Sequence, residues 1–187
     1  MNMEISETGY WMNKSPNHWF DQRLNHFISR LVHKKNIKTI VDFGCGDASY
    51  IKNLIDKNIY CEAYDGNPHT EEITNGIGKA LDLSKPINLN KKFDCVLSLE
   101  VGEHIPEKYE QTFIENLTTH SNNLIILSWA IPNQGGDGHF NEKDNRYIIN
   151  ELKKRNFNIN KEETAFLRKQ SSINWFKKTI MIFEKTI

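Results

Sequence analysis

Residues Thr39 to Ser49, TIVDFGCGDAS, constrain this chain more than any other stretch. Thr39-Ile40-Val41-Asp42-Phe43 is short, apolar and largely β-branched, as a buried strand requires. It empties into Gly44-Cys45-Gly46-Asp47, after which Ala48 to Leu54 can continue as a helix. Two glycines one residue apart let the backbone take positive φ and approach a ligand with no Cβ in the way. The helix start behind them is expected to offer free N–H groups to that ligand. A Gly-x-Gly after a strand also fits a plain tight connection, so the flanking acids carry the argument. Asp42 stands two residues before the first glycine, and Asp65 ends the next apolar segment nineteen residues after Gly46.

An acid, x, Gly, x, Gly with a later strand-end acid resembles the first motifs of class I S-adenosylmethionine-dependent methyltransferases. The resemblance runs from about Lys38 to Glu184. It implies an α/β fold, a doubly wound and mostly parallel seven-stranded sheet with an antiparallel last strand. It also implies S-adenosyl-L-methionine as cofactor, released as S-adenosyl-L-homocysteine. By the same likeness Asp42 lies near the methionine end, and Gly44, Cys45 and Gly46 form the turn against the cofactor. Asp65, with Gly66, takes the ribose hydroxyls; Asp82 receives the adenine amino group, with the backbone of Leu83 on a ring nitrogen; Glu100 closes the set after the fourth strand. An NAD-binding unit is the rival, but its third glycine would fall at Ser49 and its phosphate turn would carry the acid Asp47.

The remaining chain alternates as such a sheet demands. Strands are expected at 59–64, 79–83, 93–99, 123–130, 157–160 and 179–183, with helices between them. Upstream, Ser15-Pro16-Asn17 reads as a helix start, with Trp19, Phe20, Leu24, Phe27, Ile28 and Leu31 at helical spacing until Lys34-Lys35. The reading is one domain, with residues 1–36 an N-terminal helical cap and 37–187 the cofactor-binding core. By analogy with lids in the resembled family, Tyr10, Trp11 and His18 face the ligand.

Two segments are candidates for chemistry. After the fourth strand comes Glu100-Val101-Gly102-Glu103-His104-Ile105-Pro106, in which His104 is either a general base or a residue orienting the loop. After the fifth strand comes Ile131 to Asn141, IPNQGGDGHFN, whose glycines and directed polar groups suggest substrate binding through Trp129, Gln134 and Asn141. His139 is the leading base there. Arg168 and Trp175 are further candidates for the pocket wall, with a solvated arginine and a packed tryptophan the more expected outcome.

Composition narrows the acceptor. The chain has 24 basic and 24 acidic residues and net charge zero, so tracking long nucleic acid is not expected. Three scattered cysteines fit neither a disulfide framework nor a CxxC metal site, and no metal is expected. No apolar run approaches membrane-spanning length, and the default is a soluble, cytoplasmic protein with no membrane contact. After the fourth strand the chain lacks the Asn-Pro-Pro-aromatic type of motif that the resemblance would require for amino methylation of nucleic acids. The expected activity is therefore methyl transfer to an oxygen or nitrogen of a small-molecule acceptor. The alternatives are a protein or RNA methyltransferase, or a non-catalytic S-adenosylmethionine-binding module.

Overall fold

The computed structural model describes residues 4–14 and 18–186. Seven strands form one sheet: β1 (Thr39–Phe43), β2 (Tyr60–Asp65), β3 (Gly78–Ala80), β4 (Phe93–Leu99), β5 (Ser121–Ser128), β6 (Phe157–Ile159) and β7 (Met181–Lys185). Their spatial order is β3-β2-β1-β4-β5-β7-β6. The first five are mutually parallel, and β7 runs antiparallel to both β5 and β6. The chain leaves β1 toward β2 and returns to β4 on β1's other side, so the connections diverge at the C-terminal ends of β1 and β4. That divergence opens the crevice where α/β sheets of this type bind ligands.

Both faces of the sheet are covered, which is why its strands read as nearly continuous apolar runs. Alternation along each strand sends Ile40, Cys95, Leu97 and Ile126 to one face, and Val41, Phe43, Val96 and Ile125 to the other. The first face packs on α1 (Gln22–Lys34), α2 (Ser49–Ile55) and α6 (Lys161–Gln170), and the second on α4 (Glu110–Thr119) and α5 (Asn145–Lys153). Short helices α3 (Thr70–Ile73) and α7 (Phe176–Thr179) complete the set. Cys45 and Cys95 are buried and Cys61 half-buried, all as free thiols; burial pushes the Cys61 thiol up to about 12. Among the described residues no helix is long and apolar enough to cross a membrane.

Several sequence-based boundaries shift. The expected helix start at Ser15-Pro16-Asn17 lies outside the described residues, and α1 begins only at Gln22 behind the N-cap Asp21. Trp19 and Phe20 precede the helix and are exposed, so their helical spacing with Leu24 was coincidental. Asp21 fixes the true start because its carboxylate is held on both sides. It accepts from Leu24 N–H at 2.9 Å and from Ser172 and Ile173 N–H at 2.7 and 2.8 Å. The third strand ends at Ala80, leaving Asp82 and Leu83 in the following loop, and β7 starts two residues late because Phe176–Thr179 forms α7.

The N-terminal addition divides in two. Helix α1 buries Leu24, Ile28, Leu31 and Val32 in the core on one face of the sheet. The segment over the strand ends is instead a small hairpin, with Ile5 bridged antiparallel to Trp11 and Met12 N–H donating to the Glu4 carbonyl. Asn67 Nδ2 ties it to the sheet by donating to the Asn13 carbonyl at 2.9 Å.

Candidate active site

The glycine turn after β1 is pinned to β2. Gly44 and Cys45 N–H both donate to the Tyr64 carbonyl, at 2.7 and 3.1 Å, and Gly46 N–H donates to Asp65 Oδ2 at 2.9 Å. Gly44 and Gly46 have φ of +87° and +53°, the region that favours glycine. A Cβ at Gly44 would stand 2.2 Å from Val101, and one at Gly46 would stand 2.8 Å from His18. Ser49 N–H is likewise engaged, donating to Asp47 Oδ1 at 2.9 Å. The Gly44, Cys45, Gly46 and Ser49 amides are thus engaged by Tyr64, Asp65 and Asp47, which leaves Asp47 and Tyr50 N–H as the free donors of this helix start among the described residues, with the glycines supplying room for a ligand.

Two hollows meet above the turn. The inner one has a volume of about 120 Å³ and the outer about 580 Å³, the latter within the usual range of roughly 300–1,000 Å³ for small-ligand sites. Asp65, Gly66, Asp82, Leu83, Tyr10 and Thr8 are among its walls. The outer, larger cleft is walled by Asp42, Cys45, Gln134, His139, Trp175 and Phe176, among others. Gly44, Gly46, Glu100, His104, Trp11 and His18 border both.

The inner hollow suits a ribose. Asp65 Oδ1 accepts from Asn67 N–H and Oδ2 from Gly46 N–H, both at 2.9 Å. Each oxygen keeps acceptor capacity, which a vicinal diol can fill from two hydroxyls. Tyr10 lies directly over this strand end: a Cβ on Gly66 would come within 2.4 Å of it. Asp82 lines the same space, but its carboxylate already accepts from Ser84 N–H and Oγ, bonds Thr8 Oγ1 and pairs with Lys85. Burial opposes its charge, yet the Ser84 and Lys85 contacts hold the carboxyl below its ordinary value. Asp42 sits beneath the outer cleft, 3 % exposed, and burial, reinforced by Asp65 and Asp47, pushes its carboxyl well up.

Glu100 sits at the sheet edge with φ of +53°, a left-handed conformation uncommon outside glycine, held by its N–H donating to Ser128 Oγ at 2.8 Å. Its side chain accepts from Gln134 Nε2 at 2.6 Å and Thr179 Oγ1 at 3.0 Å. Gln134 thus braces Glu100 as well as lining the cleft. The post-β5 loop is clamped to the post-β4 turn because Phe140 and Asn141 N–H both donate to the Glu103 carbonyl at 2.9 Å. That clamp brings the His104 and His139 rings to 4.9 Å, edge to face. Trp11 adds its ring edge to face on His104 and stacks on His18. Glu142 organises the loop, pairing with His139 Nδ1 at 3.1 Å and accepting from Asn133 and Gly135 N–H at 2.7 Å each.

Trp129 and Asn141 do not join the site. Trp129 is fully buried, its Nε1 donating to the Asn141 carbonyl at 2.7 Å and its ring filling the space left by Gly102. The Asn141 side chain points inward and donates to Glu110 Oε2. Arg168 is also withdrawn, donating to the Ile180 carbonyl, whereas Trp175 does reach the cleft wall. The residues that sequence reasoning missed are Thr8, Glu103 and Glu142. Glu103 adjoins His104, and Glu142 lies three residues past His139, so proximity to a candidate histidine was the available signal.

The chain matches the model of a methyltransferase domain over residues 17–123, more than half its length. No curated protein sequence matches it. Among solved structures it is similar to the magnesium protoporphyrin IX methyltransferase of Synechocystis PCC 6803 with bound S-adenosylhomocysteine. Identity there is 18 %, TM-score 0.66, with 88 % of this chain and 83 % of that one covered. It is also similar to the sugar N-methyltransferase KedS8 of Streptoalloteichus sp ATCC 53650, at 9 % identity and TM-score 0.71 over 100 % of each chain. A third similarity is to the small RNA methyltransferase HEN1, at 16 % identity and TM-score 0.67 over 92 % of this chain and 27 % of that one. At these identities the solved structures speak for the fold, while the domain match speaks for the family. Together with the glycine turn and strand-end carboxylate, that match makes the chain a member of the methyltransferase domain family, an S-adenosylmethionine-dependent methyltransferase.

Proposed function

We propose that the enzyme methylates an oxygen or nitrogen of a small-molecule acceptor held in the outer cleft. The carrying observation is the character of the walls: no lysine or arginine lines either hollow among the described residues, and the side chains that do are aromatic rings, imidazoles and carboxylates, interspersed with glycines. A site that tracked the phosphates of RNA would need cationic side chains along its path. Small-molecule substrates in the names of similar structures, a porphyrin and a sugar, support the same reading.

The cofactor supplies a methyl group already activated by a positively charged sulfur. The chain's share is alignment and management of the acceptor's proton. Asp65, Gly66, Asp82 and Leu83 hold the nucleoside end, with Asp42, Gly44, Cys45, Gly46 and Glu100 around the remainder. Tyr10 and Trp11 close over it from the hairpin, with His18 stacked on Trp11. Gln134 positions the acceptor. The His139–Glu142 contact orients the imidazole so that Nε2 addresses the acceptor's proton. His104 shares that corner, but burial, with His139 beside it, lowers it to about 4, so it stays neutral near pH 7. Free cysteines support a reducing compartment such as the cytoplasm.

Incubating the protein with methyl-labelled cofactor and a fractionated metabolite extract tests the reading. Label is expected in a low-mass product; label confined to RNA or protein would overturn the small-molecule assignment.

A further inference from the structure

One buried group stands apart from the site's hydrogen-bond network. Glu103 is 0 % exposed, and neither of its carboxyl oxygens has a partner among the described residues. His104 Nδ1 is buried and equally unpartnered. Potential ligand atoms of Glu103, His104 and His139 all lie within 4.8 Å of one another. Three groups that attract the same positive charge thus converge on one point at the boundary of the acceptor cleft.

We propose that Glu103, His104 and His139 form a binding site for a divalent transition-metal cation. Buried polar groups are ordinarily satisfied, and a carboxylate left alone in the interior is costly. A cation answers all three vacancies at once. Two imidazoles and one carboxylate suit the first-row series through Zn²⁺ better than Mg²⁺ or Ca²⁺, which prefer all-oxygen shells. The surroundings have the expected supporting features. Glu142 engages His139 Nδ1 and leaves Nε2 for the ion, as carboxylates commonly do behind metal-bound histidines. Glu100, braced by Gln134 and Thr179, stands beside Glu103 without being one of the three. The backbone clamp from Phe140 and Asn141 to the Glu103 carbonyl fixes the loop that carries His139.

This inference rests on the methyl-transfer reading and deepens it. A cation here places Lewis acidity where an acceptor hydroxyl must lose its proton, which favours oxygen over nitrogen as the methylated atom. His139 then acts as a ligand, and its role with the acceptor proton is exercised through the ion.

The test uses the full chain, stripped with chelator and titrated with Co²⁺ while visible absorption is followed, then with competing Zn²⁺. One saturable site is expected, with visible bands of nitrogen and oxygen ligation and no intense near-ultraviolet thiolate band. His139→Gln should weaken binding by at least about tenfold, and Glu103→Gln should do likewise. His26→Gln, at an exposed histidine on α1, should bind as the unaltered protein does. Absence of saturable Co²⁺ absorption, a thiolate band, or equal affinity in the His139→Gln protein overturns the proposal. His139 is on a surface loop, so its variant keeps the test decisive even where Glu103→Gln fails to fold. Calorimetry with S-adenosylhomocysteine on the same samples separates the two readings: cofactor binding without metal binding refutes the metal site and leaves methyl transfer standing.

Discussion

Replacing Asp65 by alanine removes a carboxylate that does two jobs. Its oxygens hold Gly46 and Asn67 N–H at 2.9 Å each, and their remaining lone pairs face the space assigned to the ribose. A hydrogen bond to a charged group contributes roughly 1.5–3 kcal/mol, and part of that is recovered when water replaces the lost acceptor. The expected net loss in cofactor affinity is about 1–3 kcal/mol, or roughly 5–150-fold in Kd. Isothermal titration with S-adenosylhomocysteine measures it. A nucleoside lacking the 2′-hydroxyl separates ribose recognition from loosening of the glycine turn. The unaltered enzyme should bind this analogue more weakly than the parent ligand, while Asp65→Ala should bind both nearly alike. An Asp65→Ala protein whose affinity for the parent ligand stays within about twofold of the original would refute the ribose assignment. Equal penalties from the analogue in both proteins would show that the carboxylate acts on the turn alone.

Three further outcomes follow from buried groups. Asp21→Ala strips the N-cap of α1 and leaves the Ser172 and Ile173 amides without their acceptor, at a cost of about 2–4 kcal/mol in urea unfolding near neutral pH. Burial opposes the Asp21 charge, but the Ile173, Leu24 and Ser172 donors hold its folded pKa below the ordinary value. Its stabilisation is thus complete above that ordinary value and fades as pH falls through the depressed one, so the gap between the two proteins should narrow in acid. Asp42 has the opposite sign, since burial raises its carboxyl and its charged form opposes folding increasingly as pH rises above the unfolded pKa. Asp42→Asn should therefore unfold at higher denaturant than the original at pH 7 and show no such gain in strong acid; an unchanged midpoint at pH 7 would count against that account. Gly102→Ala would set a methyl 2.2 Å from the Trp129 ring, and the overpacking should cost about 1–3 kcal/mol in thermal unfolding, with no loss if the ring could simply shift.

The order of elements was legible in the chain because its signals are local. A β-branched run followed by Gly44-Cys45-Gly46 announces strand, turn and helix within a dozen residues, and Asp65 closes the next strand at a spacing the backbone itself sets. The N-terminal segment was less legible, because Trp19 and Phe20 mimic a helical stripe while Asp21, held by Ser172 and Ile173 from the far end of the chain, sets the true boundary. Trp129 shows the same limit. Beside a glycine-rich loop it reads as a substrate contact, yet the vacancy at Gly102 draws its ring into the core.

What the sequence determined unaided was the alternation that builds a doubly wound sheet and the residues at its switch point, since both depend on neighbours a few positions apart. Tertiary structure alone decided that the Gly44, Cys45 and Gly46 amides are taken up by Tyr64 and Asp65, and that a hairpin of residues 4–13 covers the strand ends. It alone set Glu103, His104 and His139 around one point, because that meeting depends on the Glu103 carbonyl receiving two amides from a loop that follows a different strand. Contacts of that kind are selected by how two loops emerge side by side from adjacent parallel strands, a relation with no fixed spacing along the chain.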